Sequence, residues 1–294
     1  MKREPSLEFA YRGAPSGAEI TPVEPDPVST GEGRKLIVPR CLTIATSDSG
    51  GGAGIQADLK AFAAAGCHGM SALVALTAQN TTAVTAVHEL PGEFVVAQLD
   101  AVFDDIGVDA AKTGMLFSRR LIETVADFLS DRAVSLVVDP VMVASSGARL
   151  LQEDAVAGYV ERLFPLATVV TPNLAEAEKL AGFREPRRAL AERILELGAP
   201  AVVVTGGHGE EPGDLLLDEK GELVIPVERH ARGATHGSGC THSATLAAQL
   251  ARGSSLRDAA RAAAAAAAAA VANGFKELGA GEGPVDVLGV GAGR

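Results

Sequence analysis

Residues 42–69, LTIATSDSGGGAGIQADLKAFAAAGCHG, decide the fold. A short apolar strand covers 41–46, a glycine-rich turn follows at 47–54, and helical spacing runs from 55 to 65. Ile55, Leu59 and Phe62 fall on one side of that helix. Strand, glycine turn and helix in this order are the first half of a βαβ unit. The next run, 70–78, is almost continuously apolar, as in a strand buried on both faces.

Working outward, the pattern repeats. Residues 83–90 read as an edge strand. Residues 94–106 read as an amphipathic helix with Phe94, Ala97, Val102 and Phe103 toward the core. Further strands are expected at 110–115, 136–139, 168–171 and 201–205, and a hairpin at 215–227 turns around 218–221. Helices are expected at 118–129 behind a Ser cap, from Asn173 onward, at 238–250 and at 256–273. Strands alternating with helices imply an α/β fold. Its mainly parallel central sheet is flanked by helices on both faces, in three layers α/β/α. The polar and glycine-rich segments all follow strands, at 47–54, 79–80, 139–146, 171–176 and 205–209. Ligands of open parallel sheets bind outside the carboxyl ends of the strands, so these segments point to one composite site.

The 294 residues, 47% of them apolar, suffice for one large domain, read here as residues 35–294. Residues 1–34 are rich in Pro, Gly, Glu and Ser and read as a flexible N-terminal extension. A net charge of −11 without a basic stripe argues against a nucleic-acid partner. Three widely spaced cysteines fit a reducing compartment rather than a disulfide framework. The alanine tract after Arg261 is too short and too weakly apolar to span a bilayer, and the first residues form no secretory signal. The expected setting is therefore cytoplasmic, without a membrane partner.

Two constellations carry chemistry. His236, Gly237, Ser238, Gly239, Cys240 and Thr241 precede an alanine-rich helix. Two glycines let successive N–H groups converge, and the helix N-terminus adds positive potential, making an anion hole suited to a phosphoryl group in transit. A thiol at a helix start is expected to have a lowered pKa, so Cys240 is a candidate base or donor to an attacking hydroxyl. The alternative is an ordinary glycine-rich helix entry with a packed cysteine. Asn173 and Glu176 stand at i and i+3 of a helix start and face one way, as a Mg2+ site on ATP phosphates would require. They equally suit a capping box. Cys240 and His242, at i and i+2, do not share a helix face and make a poor zinc pair.

The chain resembles the hydroxymethylpyrimidine kinase branch of the ribokinase superfamily. The wider superfamily carries Gly-x-Gly-Asp near the C-terminus. This branch, with a group of pyridoxal kinases, carries Gly-[Thr/Ser]-Gly-Cys, here Gly237, Ser238, Gly239 and Cys240. The stretch 42–69 and the motifs LTAQNT, AAKTGML, DPVM, TPNLAEAEKL and VVTGGH are also similar, and the likeness covers residues 41–275. It implies a ribokinase-like fold and a kinase of thiamine biosynthesis, using ATP and Mg2+ to phosphorylate 4-amino-5-hydroxymethyl-2-methylpyrimidine and then its monophosphate. A homodimer is expected. By resemblance the catalytic group is Cys240 with Gly237, Ser238 and Gly239. The substrate contacts are Asp58, Gln79, Thr46, Gly52 and Met115, with Asp58 and Gln79 bonding the aminopyrimidine edge and Met115 packing on its face. Asp139, Lys112, Thr205, Gly207 and Asn173 serve the nucleotide, and Glu176 and Asp139 the metal. Asp58 also fits a solvated carboxylate on the first helix, Met115 plain core, and Lys112 an acidic partner instead of phosphate.

Three positions depart from the branch pattern. Thr46 stands where a glycine is usual beside the substrate, Ser49 replaces a proline, and Ser145 replaces a lysine. The competing readings are a pyridoxal kinase of the same Gly-x-Gly-Cys type, a sugar kinase, which Cys240 in place of Asp opposes, and an inactive vitamin-binding or regulatory protein.

Overall fold

A computed structural model describes residues 38–142, 154–206, 213–228, 230 and 234–291. The proposed extension at 1–34, Gly207 and Ser145 lie outside them.

Chain order is β1 (Arg40–Asp48), α1 (Gly54–Ala64), β2 (His68–Gln79), β3 (Val84–Glu89), α2 (Gly92–Asp105), β4 (Ala110–Thr113), α3 (Arg119–Leu129) and β5 (Ser135–Val138). After α4 (Ala155–Gly158), a π-turn (Tyr159–Leu163) and a 3-10 turn (Phe164–Leu166) come β6 (Val169–Val170), α5 (Leu174–Ala181) and α6 (Arg187–Glu196). The chain continues through β7 (Val202–Val204), β8 (Asp214–Asp218), β9 (Gly221–Ile225), α7 (Ser238–Ala251) and α8 (Leu256–Ala272).

The described strands form one sheet in the order β3-β2-β1-β4-β5-β6-β7-β8-β9. The run from β2 to β7 is parallel, and β3, β8 and β9 add antiparallel edges. Alternation along each strand sorts side chains onto two faces. Leu42, Ile44, Ala111, Leu136 and Val138 join one apolar cluster, which Val95, Leu121, Val125, Ala177, Leu190 and Ile194 of α2, α3, α5 and α6 complete. Cys41, Ala110, Val137 and Val203 join the other, with Ala61 and Phe62 of α1, Ala244 and Ala247 of α7, and Ala260 and Ala263 of α8. Burying each large aliphatic side chain contributes about 1.5–3 kcal/mol. On the second face alanines dominate, and close helix packing replaces side-chain bulk. Helices on both faces make the three-layer α/β/α arrangement that the sequence predicts.

Two local expectations change. Phe94 and Ala97, expected in the core, are exposed. They sit in the first two turns of α2, where Val95 and Leu99 take the buried positions. Helix α6 was not anticipated, because its arginines and glutamates mask the buried stripe of Leu190, Ala191 and Ile194.

From β1 the chain steps outward to β2 and β3, then crosses back to lay β4 on the other side of β1. A crevice opens at such a reversal, at the carboxyl ends of β1 and β4.

Candidate active site

A cavity of about 740 Å3 lies at that edge of the sheet. Thr46, Ser47 and Asp48 reach it from the end of β1, Thr77 and Gln79 from β2, and Lys112 and Met115 from β4 and its exit. Asp139 follows β5, Asn173 and Glu176 follow β6, and Thr205 follows β7. The first turn of α7 closes it with Gly237, Ser238, Gly239 and Cys240. The structure thus brings together most of the residues singled out in the sequence.

Two are not brought into it. Asp58 is fully buried below the cavity floor. Lys112 Nζ donates to both its oxygens at 2.9 and 3.0 Å, and Thr43 donates to Oδ2 at 2.6 Å. Its acceptors are taken, so the expected bond to an aminopyrimidine edge does not match this arrangement. Gly52 is also buried, and it acts as a spacer: a Cβ there would run into the His236 ring. Lys112 lines the cavity yet has no solvent exposure, and its third neighbour is Asp139 Oδ2 at 3.5 Å. Burial opposes the ammonium charge, but the carboxylates of Asp58 and Asp139 outweigh it and keep Lys112 cationic. Of its two expected partners, the structure gives Lys112 the acidic one.

The first turn of α7 is open to an anion. Gly237, at φ 85°, has no side chain that caps the helix. Among the described residues, the N–H groups of Gly239 and Cys240 have no acceptor. A Cβ on Gly237 would collide with the carbonyl oxygen of Gly52, so the two glycine turns interlock backbone to backbone.

The Cys240 thiol behaves otherwise than its place at a helix start suggests. Desolvation is the largest influence, and with the charges of Asp58 and Asp139 it overrides the pull of Lys112 and pushes the thiol up to about 12. The expectation of a lowered pKa is therefore corrected: in the free site Cys240 is a neutral thiol.

The Asn173–Glu176 pair forms the capping box. Asn173 Oδ1 accepts from the Glu176 N–H at 3.0 Å, and Glu176 Oε2 accepts from the Asn173 N–H at 2.9 Å. Burial and the charge of Asp139 push Glu176 up to about 8. Two carboxyl groups crowded at the cavity edge are a donor set that suits a hard divalent cation. Asp139 Oδ2 accepts from Ser243 at 2.8 Å. Thr205 donates its N–H to the Pro172 carbonyl at 2.9 Å, joining the loops after β6 and β7. Thr46, at the position usually glycine, gives its hydroxyl proton to the Met115 carbonyl at 2.9 Å.

Sequence reasoning missed Asp48 and Ser243, and named His236 at the start of the α7 turn without finding its partner. Asp48 Oδ1 accepts from the Gly50 N–H at 2.7 Å, and Oδ2 from Gly52 and Ala53 at 3.1 and 2.9 Å, with His236 Nε2 at 3.1 Å. Burial works to raise this carboxyl, but those bonds hold it below its ordinary value. An Asp just before a glycine run is a turn signal, and that signal was available. Ser243 lies two residues past the motif's end and carries no mark in the sequence.

The phosphomethylpyrimidine kinase family profile matches residues 48–286. The hydroxymethylpyrimidine/phosphomethylpyrimidine kinase of Rhizobium meliloti is 50% identical over 252 residues, spanning 83% of this chain and 95% of that one. Among solved structures, the ADP complex of Bacillus subtilis pyridoxal kinase superposes with TM-score 0.78 at 39% identity, covering 85% of this chain and 97% of that one. The phosphomethylpyrimidine kinase of Clostridium difficile gives 0.69 at 39% identity, covering 77% and 96%. The matched region includes Asp48, the carboxylates at the cavity edge and the open turn of α7, and on this footing the chain belongs to the phosphomethylpyrimidine kinase family.

Proposed function

We propose that the protein transfers the γ-phosphoryl group of ATP to the hydroxymethyl group of 4-amino-5-hydroxymethyl-2-methylpyrimidine, and then phosphorylates the monophosphate, in thiamine biosynthesis. One observation carries the reading. Within a single cavity the unpartnered N–H groups of Gly239 and Cys240 stand at a helix N-terminus, with Asp139 and Glu176 at the cavity edge. The first pair stabilises charge on a moving phosphoryl group, and the second suits the metal that accompanies ATP.

Phosphoryl transfer asks a protein mainly for positioning and charge stabilisation, because its transition state is loose. Gly239 and Cys240 supply N–H groups to the phosphoryl oxygens, while Gly237 shapes the turn and the Ser238 N–H is held by the Thr235 carbonyl at 3.0 Å. Asp139 and Glu176 hold Mg2+, which when bound offsets phosphate charge. Asn173 shapes their turn, and Thr205 and Gly207 serve the nucleotide side. Gln79, whose amide both donates and accepts, reads the heterocycle edge, and Met115 packs on its face. Thr46 takes up room that a glycine would leave, and its tie to Met115 fixes that wall. The neutral Cys240 thiol lies beside the attacking hydroxyl and orients it by hydrogen bonding, and the hydroxyl proton passes to an oxygen of the transferred phosphoryl group late in the transfer, when the alcohol has become acidic. The protein is read as a cytoplasmic homodimer. Among the described residues, no helix is long and apolar enough to cross a membrane.

The test is ATP turnover with the pyrimidine, its monophosphate, pyridoxal and ribose side by side. Turnover of the first two is expected. A protein that turned over only pyridoxal would instead match the reading suggested by the pyridoxal kinase superposition. A protein that consumed no ATP would be a vitamin-binding relative.

A further inference from the structure

A chain of buried polar groups runs under the cavity floor, joined by hydrogen bonds and one longer ion-pair contact. Thr43 of β1 donates to Asp58 of α1 at 2.6 Å. Asp58 grips Lys112 of β4 through both oxygens, at 2.9 and 3.0 Å. Lys112 lies 3.5 Å from Asp139 Oδ2, and Ser243 of α7 donates to that same oxygen at 2.8 Å. Ser243 Oγ also lies 3.0 Å from the Gly239 carbonyl and 3.2 Å from that of Cys240. The chain thus ends on the backbone of the open helix turn.

The side chains of Thr43, Asp58, Lys112 and Ser243 have no contact with solvent, and Asp139 has little. Burying a lysine and an aspartate is costly unless the pair is close and well bonded. The sheet's alternation puts Thr43 and Lys112 on the face that α1 and α7 cover, the face of Cys41 and Ala110. Both Lys112 and Ser243 engage Oδ2, so Asp139 Oδ1 is the oxygen left to face a ligand.

We propose that Asp58 is a positioning residue. By holding Lys112 at a fixed distance from Asp139, it keeps Oδ1 of Asp139 turned to the metal of the phosphoryl donor and the first turn of α7 in register with it. Without the Asp58 charge, Lys112 has Asp139 as its nearest anion, closes on it and neutralises it. The inference rests on the proposed kinase reading, and it gives Asp58 a task other than contact with the heterocycle.

The experiment compares wild type with Asp58→Asn and Thr43→Val. Mn2+ affinity is read by electron paramagnetic resonance with ADP present and no pyrimidine, and kcat and KM are measured separately. For Asp58→Asn, Mn2+ affinity and kcat are expected to fall about 10–100-fold, the usual range for a group supporting a metal ligand. The KM for the pyrimidine should stay within about threefold. Thr43→Val removes one donor at nearly constant shape, and should lower Mn2+ affinity in the same direction by about threefold or more. It decides the matter if Asp58→Asn does not fold. Wild-type Mn2+ affinity in either folded variant overturns the proposal, and so does a pyrimidine KM raised more than tenfold with cation binding unchanged. Absence of ATP turnover in the wild type would overturn the kinase reading instead, and leaves the Mn2+ comparison standing.

Discussion

Two glycine-rich turns meet at the cavity, and they use their backbones in opposite ways. In the turn after β1, the N–H groups of Gly50, Gly52 and Ala53 all point at the Asp48 carboxylate. That turn carries its own anion. In the turn before α7 the N–H groups of Gly239 and Cys240 have no acceptor among the described residues. The same composition thus yields one closed nest and one open one, and only the open one suits a phosphoryl group. A glycine run marks a backbone able to converge its donors, and the nearest carboxylate decides whether the donors remain available.

The largest expected effect comes from breaking the interlock itself. Gly237→Ala puts a Cβ against the Gly52 carbonyl at a position with φ 85°. Strain of roughly 1–3 kcal/mol plus the displaced turn should lower Tm and reduce kcat by at least about 100-fold. Thermal melts and steady-state kinetics check it. An unimpaired Gly237→Ala enzyme would show that the two turns need not touch.

Cys240 sharpens the comparison on the open side. Cys240→Ala removes the side chain that orients the attacking hydroxyl, and should lower kcat by about 100-fold while leaving KM values nearly unchanged. Cys240→Asp should retain part of the activity. Because burial holds the thiol near 12, its alkylation by iodoacetamide should stay slow at neutral pH and accelerate only in strong alkali. Fast alkylation at pH 7 with a mid-range midpoint would restore the activated thiolate.

On the closed side, Asp48→Asn weakens the internal anion. Loss of charge from several hydrogen bonds should cost about 1–2 kcal/mol of stability at neutral pH. Asp48 is held below its ordinary value in the folded protein, so its contribution is present above the unfolded value and is lost as pH falls through the folded one. The gap between wild type and Asp48→Asn in chemical denaturation should therefore narrow below a pH of about 4. A gap that stayed constant to lower pH would assign the loss to shape rather than charge.

The smallest effect concerns Glu176, which is pushed up to about 8. A carboxyl raised on folding favours the folded state fully below its unfolded value, and that advantage is lost as pH rises through the folded one. Without divalent cations, Tm should drift down by a few degrees from about pH 5 to about pH 8.5, and Glu176→Gln should flatten the drift. Equal slopes for the two proteins would mean that another group dominates.

Alternation and spacing alone determined the α/β class, the order of strands and helices from 41 to 273 apart from α4 and α6, the Ser118 cap and the Asn173–Glu176 box. They did so because apolar periodicity and capping are local properties, written within a few residues of where they act. The ordered motifs also located the cavity edge, since strand ends follow from strand positions. Tertiary structure alone decided how the charged residues divide their bonds. Asp58 and Lys112 are 54 positions apart and find each other only because β4 returns beside β1 beneath α1. Cys240 keeps its proton because packing removes water from the thiol, an effect that outweighs its place at a helix start. Whether a polar side chain meets a ligand or another side chain depends on which partner the fold brings within about 3 Å, and that distance is set by the whole sheet.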